Sequence, residues 1–208
     1  MANIIRGESF RWPGGVIPYV IDGGDFPDGT NRRAKIQWAI DHWNSRSRLK
    51  FVPRESPLIL NWVRFVSHRD ACRSDVGRQT SLIPTFGQDI RCQLTAGGFV
   101  RGAVLHEMCH AVGLFHEHQR PDRDDYVTVM GGDDVNYGRK DPDDVLLLTP
   151  YDYLSIMHYP MTPNLVAPAR YTIGQRLRLG YLDLMAIEQA HGLGRGDYWL
   201  LSSHSQAP

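Results

Sequence analysis

The stretch His106-Glu107-Met108-Cys109-His110-Ala111-Val112-Gly113-Leu114-Phe115-His116 decides how the rest of the chain is read. Val104, Leu105, Met108, Ala111 and Val112 recur at helical spacing and predict a helix from Val100 to Val112, ended by Gly113. On such a helix, residues four apart lie about 40° apart around the axis, so His106 and His110 project side by side. Two imidazoles so placed reach one Zn²⁺ at about 2.0–2.1 Å. Glu107 is rotated about 100° from His106, which suits a general base acting on water better than a ligand. Gly113 lets the chain leave through a positive-φ turn, and His116 follows as the third ligand. Three neutral imidazoles leave a position open for water, whereas structural zinc sites are closed by a fourth protein ligand, usually Cys. Cys109 projects to one side of the two-histidine face, so it is rejected as that fourth ligand and expected as a buried free thiol. A bare H-E-x-x-H is a common chance match. With the glycine and third histidine at fixed spacing, coincidence falls to on the order of one in 10⁵ for a chain of this length.

The rest of the chain is compatible with one catalytic domain. Its 208 residues suffice for a sizeable core or two small lobes around a cleft, and 42% are hydrophobic and 22% charged. Lys+Arg and Asp+Glu balance at 23 each, so neither a nucleic-acid nor a membrane partner is expected. No apolar run approaches the roughly 18 residues that span a bilayer. The first residues carry Arg6, Glu8 and Arg11 and lack an apolar signal core, so a presequence, if there is one, is expected upstream. Three cysteines, Cys72, Cys92 and Cys109, make one bridge plus one free thiol the simplest count, without choosing the pair.

Along the chain, Trp12-Pro13-Gly14-Gly15 is a turn leading into a strand, Val16 to Ile21. Thr30 is positioned to cap a helix running to about Ser47, with Ala34, Ile36, Ala39, Ile40 and Trp43 on its apolar side. Strands are expected at Leu49–Pro53 and Ile59–Val66, then loops around one or two strands from Ser67 to Gly98. Phe115 to Pro160 is read as irregular, with turn chemistry at Gly131-Gly132, Asp133-Asp134 and Asp141–Asp144; the aspartates lack calcium-loop spacing. A last helix is expected over Leu179–His191, burying Leu182, Leu184, Met185, Ile187 and Ala190, before a loose tail.

The extended motif resembles the metzincin signature. The residues after it, Glu117-His118-Gln119-Arg120-Pro121-Asp122-Arg123-Asp124-Asp125-Tyr126-Val127, resemble the astacin family specifically. Tyr151-Asp152-Tyr153-Leu154-Ser155-Ile156-Met157-His158-Tyr159-Pro160 is similar to that family's Met-turn, and Trp12 to Tyr19 to its opening strand. The resemblance covers roughly residues 10–192. It implies an α+β, metzincin-like fold of two lobes about a cleft. The N-terminal lobe (about 1–113) would hold a twisted mixed sheet and two long helices. A largely irregular C-terminal lobe (about 114–195) would carry the Met-turn and a final helix, with a tail at about 196–208.

The same resemblance assigns roles. Met157 would form a hydrophobic floor beneath the metal. Tyr159 would bind zinc at rest and swing away to hydrogen-bond the oxyanion. Glu117 would dock a new N-terminus, and Cys72 and Cys92 would form a disulfide. A second family disulfide has no counterpart: Arg48 stands near its first position and no cysteine follows Cys109, so packing alone is expected to hold the lobes together. Aligning on Trp12 places the family's mature start near Ala2 or Asn3, so a processed enzyme is expected; secretion and a monomeric state are expected besides.

The expected activity is therefore zinc-dependent endopeptidase, with Glu107 as base and one catalytic Zn²⁺. A protein or peptide substrate is expected to bind extended along a sheet edge, for which Phe86–Cys92 is the candidate. Arg170, Arg176 and Arg178 are candidates to read an acidic side chain after the cut. His42, His68, His191 and His204 are read as surface or helix-end residues, His118 and His158 as support or packing. The Arg120–Asp125 run reads as ion pairs bracing the third ligand. A catalytically dead binding domain is disfavoured by retention of Glu107 and Tyr159, and a metal-dependent oxygenase by the third histidine where a carboxylate is usual.

Overall fold

Side chains alternate in and out along the strands of the main sheet, so one of its faces is buried. The computed structural model describes residues 2–80, 87–93, 101–130 and 135–193. The N-terminal arm is itself a strand, β1 (Asn3–Ile5), followed by β2 (Val16–Ile21), β3 (Lys50–Pro53), β4 (Val63–His68), β5 (Arg73–Ser74) and β6 (Gln88–Gln93). β2 to β6 make one sheet in the order β3-β2-β4-β6-β5, parallel except for β5, which pairs antiparallel with β6 at one edge. Ile17, Phe51, Val63, Phe65, Ile90 and Cys92 share its buried face. They pack in one core with apolar residues of two helices, α1 (Asn31–Asn44) and α2 (Arg101–Ala111). Each such fully buried large side chain contributes about 1.5–3 kcal/mol.

α1 begins where the cap residue predicts: the Thr30 hydroxyl accepts the Arg33 amide at 3.3 Å. Beyond α2 the chain is mostly irregular. β7 (Thr128–Val129) pairs with β9 (Leu165–Val166), and β8 (Val145–Leu147) pairs antiparallel with β1. A second apolar cluster of Val127, Tyr151, Leu165, Ala167 and Ile173 supports this lobe, and α3 (Tyr181–Ala190) closes the fold. The architecture is the expected two-lobed α+β fold with a mixed sheet. No helix among the described residues is long and apolar enough to cross a membrane.

Several expectations are corrected. The apolar run from Ile59 is not yet strand: the Arg54 guanidinium holds the Pro57 and Ile59 carbonyls (2.8 and 3.1 Å), and pairing starts at Val63. Cys72 and Cys92 are free thiols, not a disulfide. The Cys72 sulfur accepts the Gln93 amide at 3.3 Å, while that of the fully buried Cys92 turns to the Ile90 carbonyl at 3.9 Å. Cys109 is a buried free thiol, as expected.

His42 is buried against Trp38 rather than on the surface, and its Nε2 faces the Leu179 amide. α3 buries Leu184, Ala186 and Ile187 together with the acids Asp183 and Glu188, while Leu182, Met185 and Ala190 are only partly covered. Packing alone does not join the lobes: Glu188 Oε1 accepts the Arg48 amide at 2.8 Å. Phe86, His204, residues 131–134 and the tail at 196–208 lie outside the described residues.

Candidate active site

α2 is buried along almost its whole length, because both its apolar and its histidine-bearing sides face protein. Gly102 is needed for this: a Cβ there would meet the Arg176 carbonyl oxygen at 1.7 Å. At the other end the Trp12 indole donates to the Ala111 carbonyl at 2.9 Å. Gly113, at φ 112°, then turns the chain out of the helix in a conformation that a side chain disfavours. β1 holds this exit, since Ile5 donates to Gly113 and Phe115 donates to Asn3, both at 2.8 Å. His116 is thereby returned toward the face of His106 and His110.

The three imidazoles converge through one nitrogen each. His116 Nε2 lies 3.1 Å from His106 Nε2 and 3.2 Å from His110 Nε2. Tetrahedral ligands at zinc–nitrogen bonds of about 2.0–2.1 Å stand roughly 3.3 Å apart, so the donor set fits a single zinc ion. The opposite nitrogens are engaged elsewhere. His106 Nδ1 donates to the Ile156 carbonyl at 2.9 Å and His110 Nδ1 to that of Leu114 at 2.7 Å, while His116 Nδ1 faces Gln119 Oε1 at 3.2 Å. Such partners set the tautomer that leaves Nε2 with its lone pair. Burial is the largest cause lowering the pKa of all three, to about 4 for His110, which keeps them neutral and able to ligate at pH 7.

Glu107 follows His106 and is 5% exposed. One side of its carboxylate accepts the Ser74 amide of β5, whereas Oε2 is buried with no hydrogen-bond partner among the described residues. Burial lifts its pKa to about 8, partly opposed by Arg176. An unpartnered carboxylate oxygen beside three convergent imidazoles is costly unless water or a cation belongs there.

The Met-turn is tied to the segment of His116. Met157 is 1% exposed, and its carbonyl accepts the Glu117 amide at 3.1 Å, tying the turn to the segment of the third ligand. The Tyr159 ring lies 4.4 Å from that of His116. Glu117 is buried, and its Oε1 takes Arg120 at 3.1 Å and the Asp152 amide at 2.9 Å. Arg120 also pairs with Asp122, and Asp124 takes both Arg123 and Arg139, so the charge run does brace the third-ligand segment. His118 stacks on His116, and the His158 ring accepts from or donates to the Tyr151 hydroxyl at 2.7 Å.

Of the three candidate arginines, Arg170 covers Tyr171 and Arg178 is exposed. Arg176 is half-buried, and the negative charges of Glu107 and Tyr159 act to raise its pKa against burial. Its Nη1 donates to the Ile156 and His158 carbonyls at 2.7 and 2.9 Å. The sheet edge beside Glu107 is β5, not the Phe86–Cys92 segment, which lies next to β4 and is covered by β5 at Ile90 and Arg91. Sequence reasoning misses Gln119; an amide three residues after the third histidine is its only signal.

The chain matches the peptidase family described as Astacin over residues 5–192. It is 34% identical over 192 residues to Tolloid-like protein 1 of Homo sapiens, covering 83% of this chain but 18% of that protein. It is 35% identical over 155 residues to zinc metalloproteinase nas-8 of Steinernema carpocapsae, covering 72% of this chain and 34% of that protein. The chain thus spans well under half the length of these curated relatives. Among solved structures it is similar to high choriolytic enzyme 1, a hatching enzyme zinc-protease from Oryzias latipes, with TM-score 0.73 and 29% identity over 91% of this chain and 99% of that one. Myroilysin shares the fold at TM-score 0.68 and 22% identity, with 93% and 99% covered. The family match runs unbroken from the N-terminal strand through the histidine cluster to the end of α3, and the chain belongs to the astacin family of zinc metalloendopeptidases.

Proposed function

We propose that this chain is a zinc-dependent endopeptidase in which His106, His110 and His116 hold the metal, Glu107 is the general base and Tyr159 the oxyanion donor. Residues 1–208 are read as a single catalytic domain. The observation that carries the reading is the unpartnered Glu107 Oε2 beside the three convergent imidazoles. Held by these three histidines, a zinc ion would supply Lewis acidity and lower the pKa of water towards about 7. Glu107 takes the proton as the water oxygen attacks the scissile carbonyl carbon. It hands that proton to the amine as the carbon–nitrogen bond breaks, leaving a carboxylate and a free amine. Tyr159 donates its hydroxyl to the carbonyl oxygen as negative charge develops there, and Met157 keeps the underside of the site dry. Met157 and Glu117 act as supports.

An extended substrate would add a strand along β5, which puts its backbone beside the Glu107 carboxylate. Arg176 is then the residue placed to read an acidic side chain after the cut. Secretion and a monomeric state belong to the same proposal; detection of the protein in the culture medium of its native host and a sedimentation measurement test them.

Cleavage of a quenched fluorogenic peptide with and without a chelator tests the activity. Turnover should vanish with chelator and return with Zn²⁺, and Glu107→Ala should keep zinc while losing turnover. Chelator-insensitive cleavage, or wild-type cleavage by Glu107→Ala, would refute the assignment.

A further inference from the structure

Asp183 is the third residue of α3 and is 1% exposed. Its Oδ2 accepts the Gly180 amide at 2.9 Å, which caps the helix. It does more than a cap requires. Oδ2 also accepts the Ile156 amide at 3.0 Å, and Oδ1 accepts the Ser155 hydroxyl at 2.6 Å. Both of those partners belong to the Met-turn.

From Ser155 the contacts lead to the metal site. Ser155 Oγ, having donated to Asp183, accepts the Met157 amide at 3.0 Å. The Ile156–Met157 peptide, gripped at its N–H, presents its carbonyl to His106 Nδ1 at 2.9 Å. Every donor points the same way: imidazole to carbonyl, amide to hydroxyl, hydroxyl to carboxylate. Hydrogen bonds aligned in this sense polarise one another, and more so when buried; Ile156 is fully buried and Ser155 and Met157 are each 1% exposed. A ligand histidine that donates toward negative charge is fixed in orientation and made more basic at its other nitrogen. His110 and His116 reach only neutral acceptors, the Leu114 carbonyl and the Gln119 amide oxygen. The Arg176 guanidinium pulls on the Ile156 oxygen at 2.7 Å, so a carboxylate at the far end also offsets a cation competing with His106 for that acceptor.

We infer that Asp183 is a positioning residue for the metal ligand His106, acting through Ser155 and the Ile156–Met157 peptide. The inference rests on His106 holding zinc. Its test is zinc affinity, measured by chelator competition, together with the absorption spectrum of the Co²⁺-substituted protein. Ser155→Ala keeps both amide bonds of Asp183 and the helix cap, so it isolates the relay; Asp183→Asn removes the charge. Each should weaken zinc binding roughly ten- to a hundredfold and move the Co²⁺ bands. The double variant should lose no more than the weaker-binding single, because both act on one chain of bonds. Glu188→Ala, which loosens α3 without touching the relay, should lower the melting temperature and leave zinc affinity and spectrum unchanged.

Wild-type affinity in Ser155→Ala and Asp183→Asn, or an equal loss in Glu188→Ala, overturns the inference. If neither relay variant folds, NMR of the metal-free wild-type protein decides: the Nδ1–H proton of His106 should resonate further downfield than that of His110, whose carbonyl acceptor has no carboxylate behind it, and equal shifts overturn the inference. The ligand reading fails separately, by undiminished zinc affinity in His106→Ala.

Discussion

Arg48 and Glu188, 140 residues apart, join the end of the first helical region to the last helix through a backbone amide and a buried carboxylate at 2.8 Å. The Arg48 guanidinium adds a bond to the Leu193 carbonyl at 2.7 Å but stands 3.9 Å from Glu188 Oε2 and is half exposed. The amide–carboxylate bond, and not the ion pair, therefore carries the clasp, in the region where the resemblance places a disulfide that this chain lacks. Glu188→Ala takes the carboxylate away from the partly buried Arg48 amide and should cost about 1–2 kcal/mol. Arg48→Ala keeps that amide and should cost less than about 1 kcal/mol. Urea unfolding at low and high salt checks both; equal losses, or a strong salt dependence, would place the energy in the ion pair instead.

Acid should unfold this protein at a pH where many proteins are still stable. Burial pushes the pKa of His42, His118, His158 and His191 down to about 4. In the unfolded chain they titrate near 6.5. Below that pH the unfolded state binds protons that the folded state refuses, so this stability is fully present above about 6.5 and lost as pH falls towards 4. Each group contributes at most about 1.4 kcal/mol per pH unit. The urea midpoint of the metal-free protein should fall between pH 7 and pH 5, and less so in His42→Gln. Glu107 and Glu117, whose pKa burial raises to about 8, act in the opposite sense over this interval, so the difference between the wild type and His42→Gln is the decisive reading, and equal pH slopes in the two proteins would contradict the neutral, buried state of the His42 ring.

The histidine cluster is legible in the sequence because it is local: two ligands four apart on a helix, a glycine exit and a third ligand within eleven residues. β2 and the Thr30 cap are legible for the same reason. Asp183 and Glu188 are not. In a helical pattern a carboxylate reads as solvent-facing, and nothing local says that its donors come from Ser155, 28 residues away, or Arg48, 140 away. Leu60 misleads in the opposite sense, as an apolar residue of the expected strand that stays exposed because Arg54 holds the neighbouring Ile59 carbonyl in a loop. The cysteine count and the resemblance imply a bridge, yet the sulfurs of Cys72 and Cys92 engage separate backbone groups.

Tyr159 can be separated from the metal ligands kinetically. Its ring packs at 4.4 Å on those of both His116 and His118, so Tyr159→Phe retains the stacking and removes only the hydroxyl. If that hydroxyl meets the oxyanion, kcat should fall about 10²- to 10³-fold while KM and zinc content stay near wild type. An unchanged kcat removes Tyr159 from the oxyanion role, and a matching loss of zinc makes it a ligand foremost.

Under the proposed function, Arg176 would join specificity to the architecture of the site. Gly102 lets its backbone press against α2, Nη1 is anchored on the Ile156 and His158 carbonyls, and the guanidinium lies within electrostatic reach of Glu107. Its Nη1 is held by backbone oxygens and, among the described residues, no carboxylate bridges it, so on the proposed reading its charge would serve an acidic substrate side chain. Arg176→Gln keeps a donor for the carbonyls and removes the charge. For peptides with Asp or Glu just after the scissile bond, kcat/KM should drop at least about tenfold, the equivalent of about 1.4 kcal/mol, relative to matched peptides with Asn or Gln there. Paired peptides measured at low and high salt provide the check, and the preference of the wild type should shrink as salt screens the charge. An equal loss on acidic and neutral peptides would make Arg176 a brace for the Met-turn and leave substrate selection to another residue.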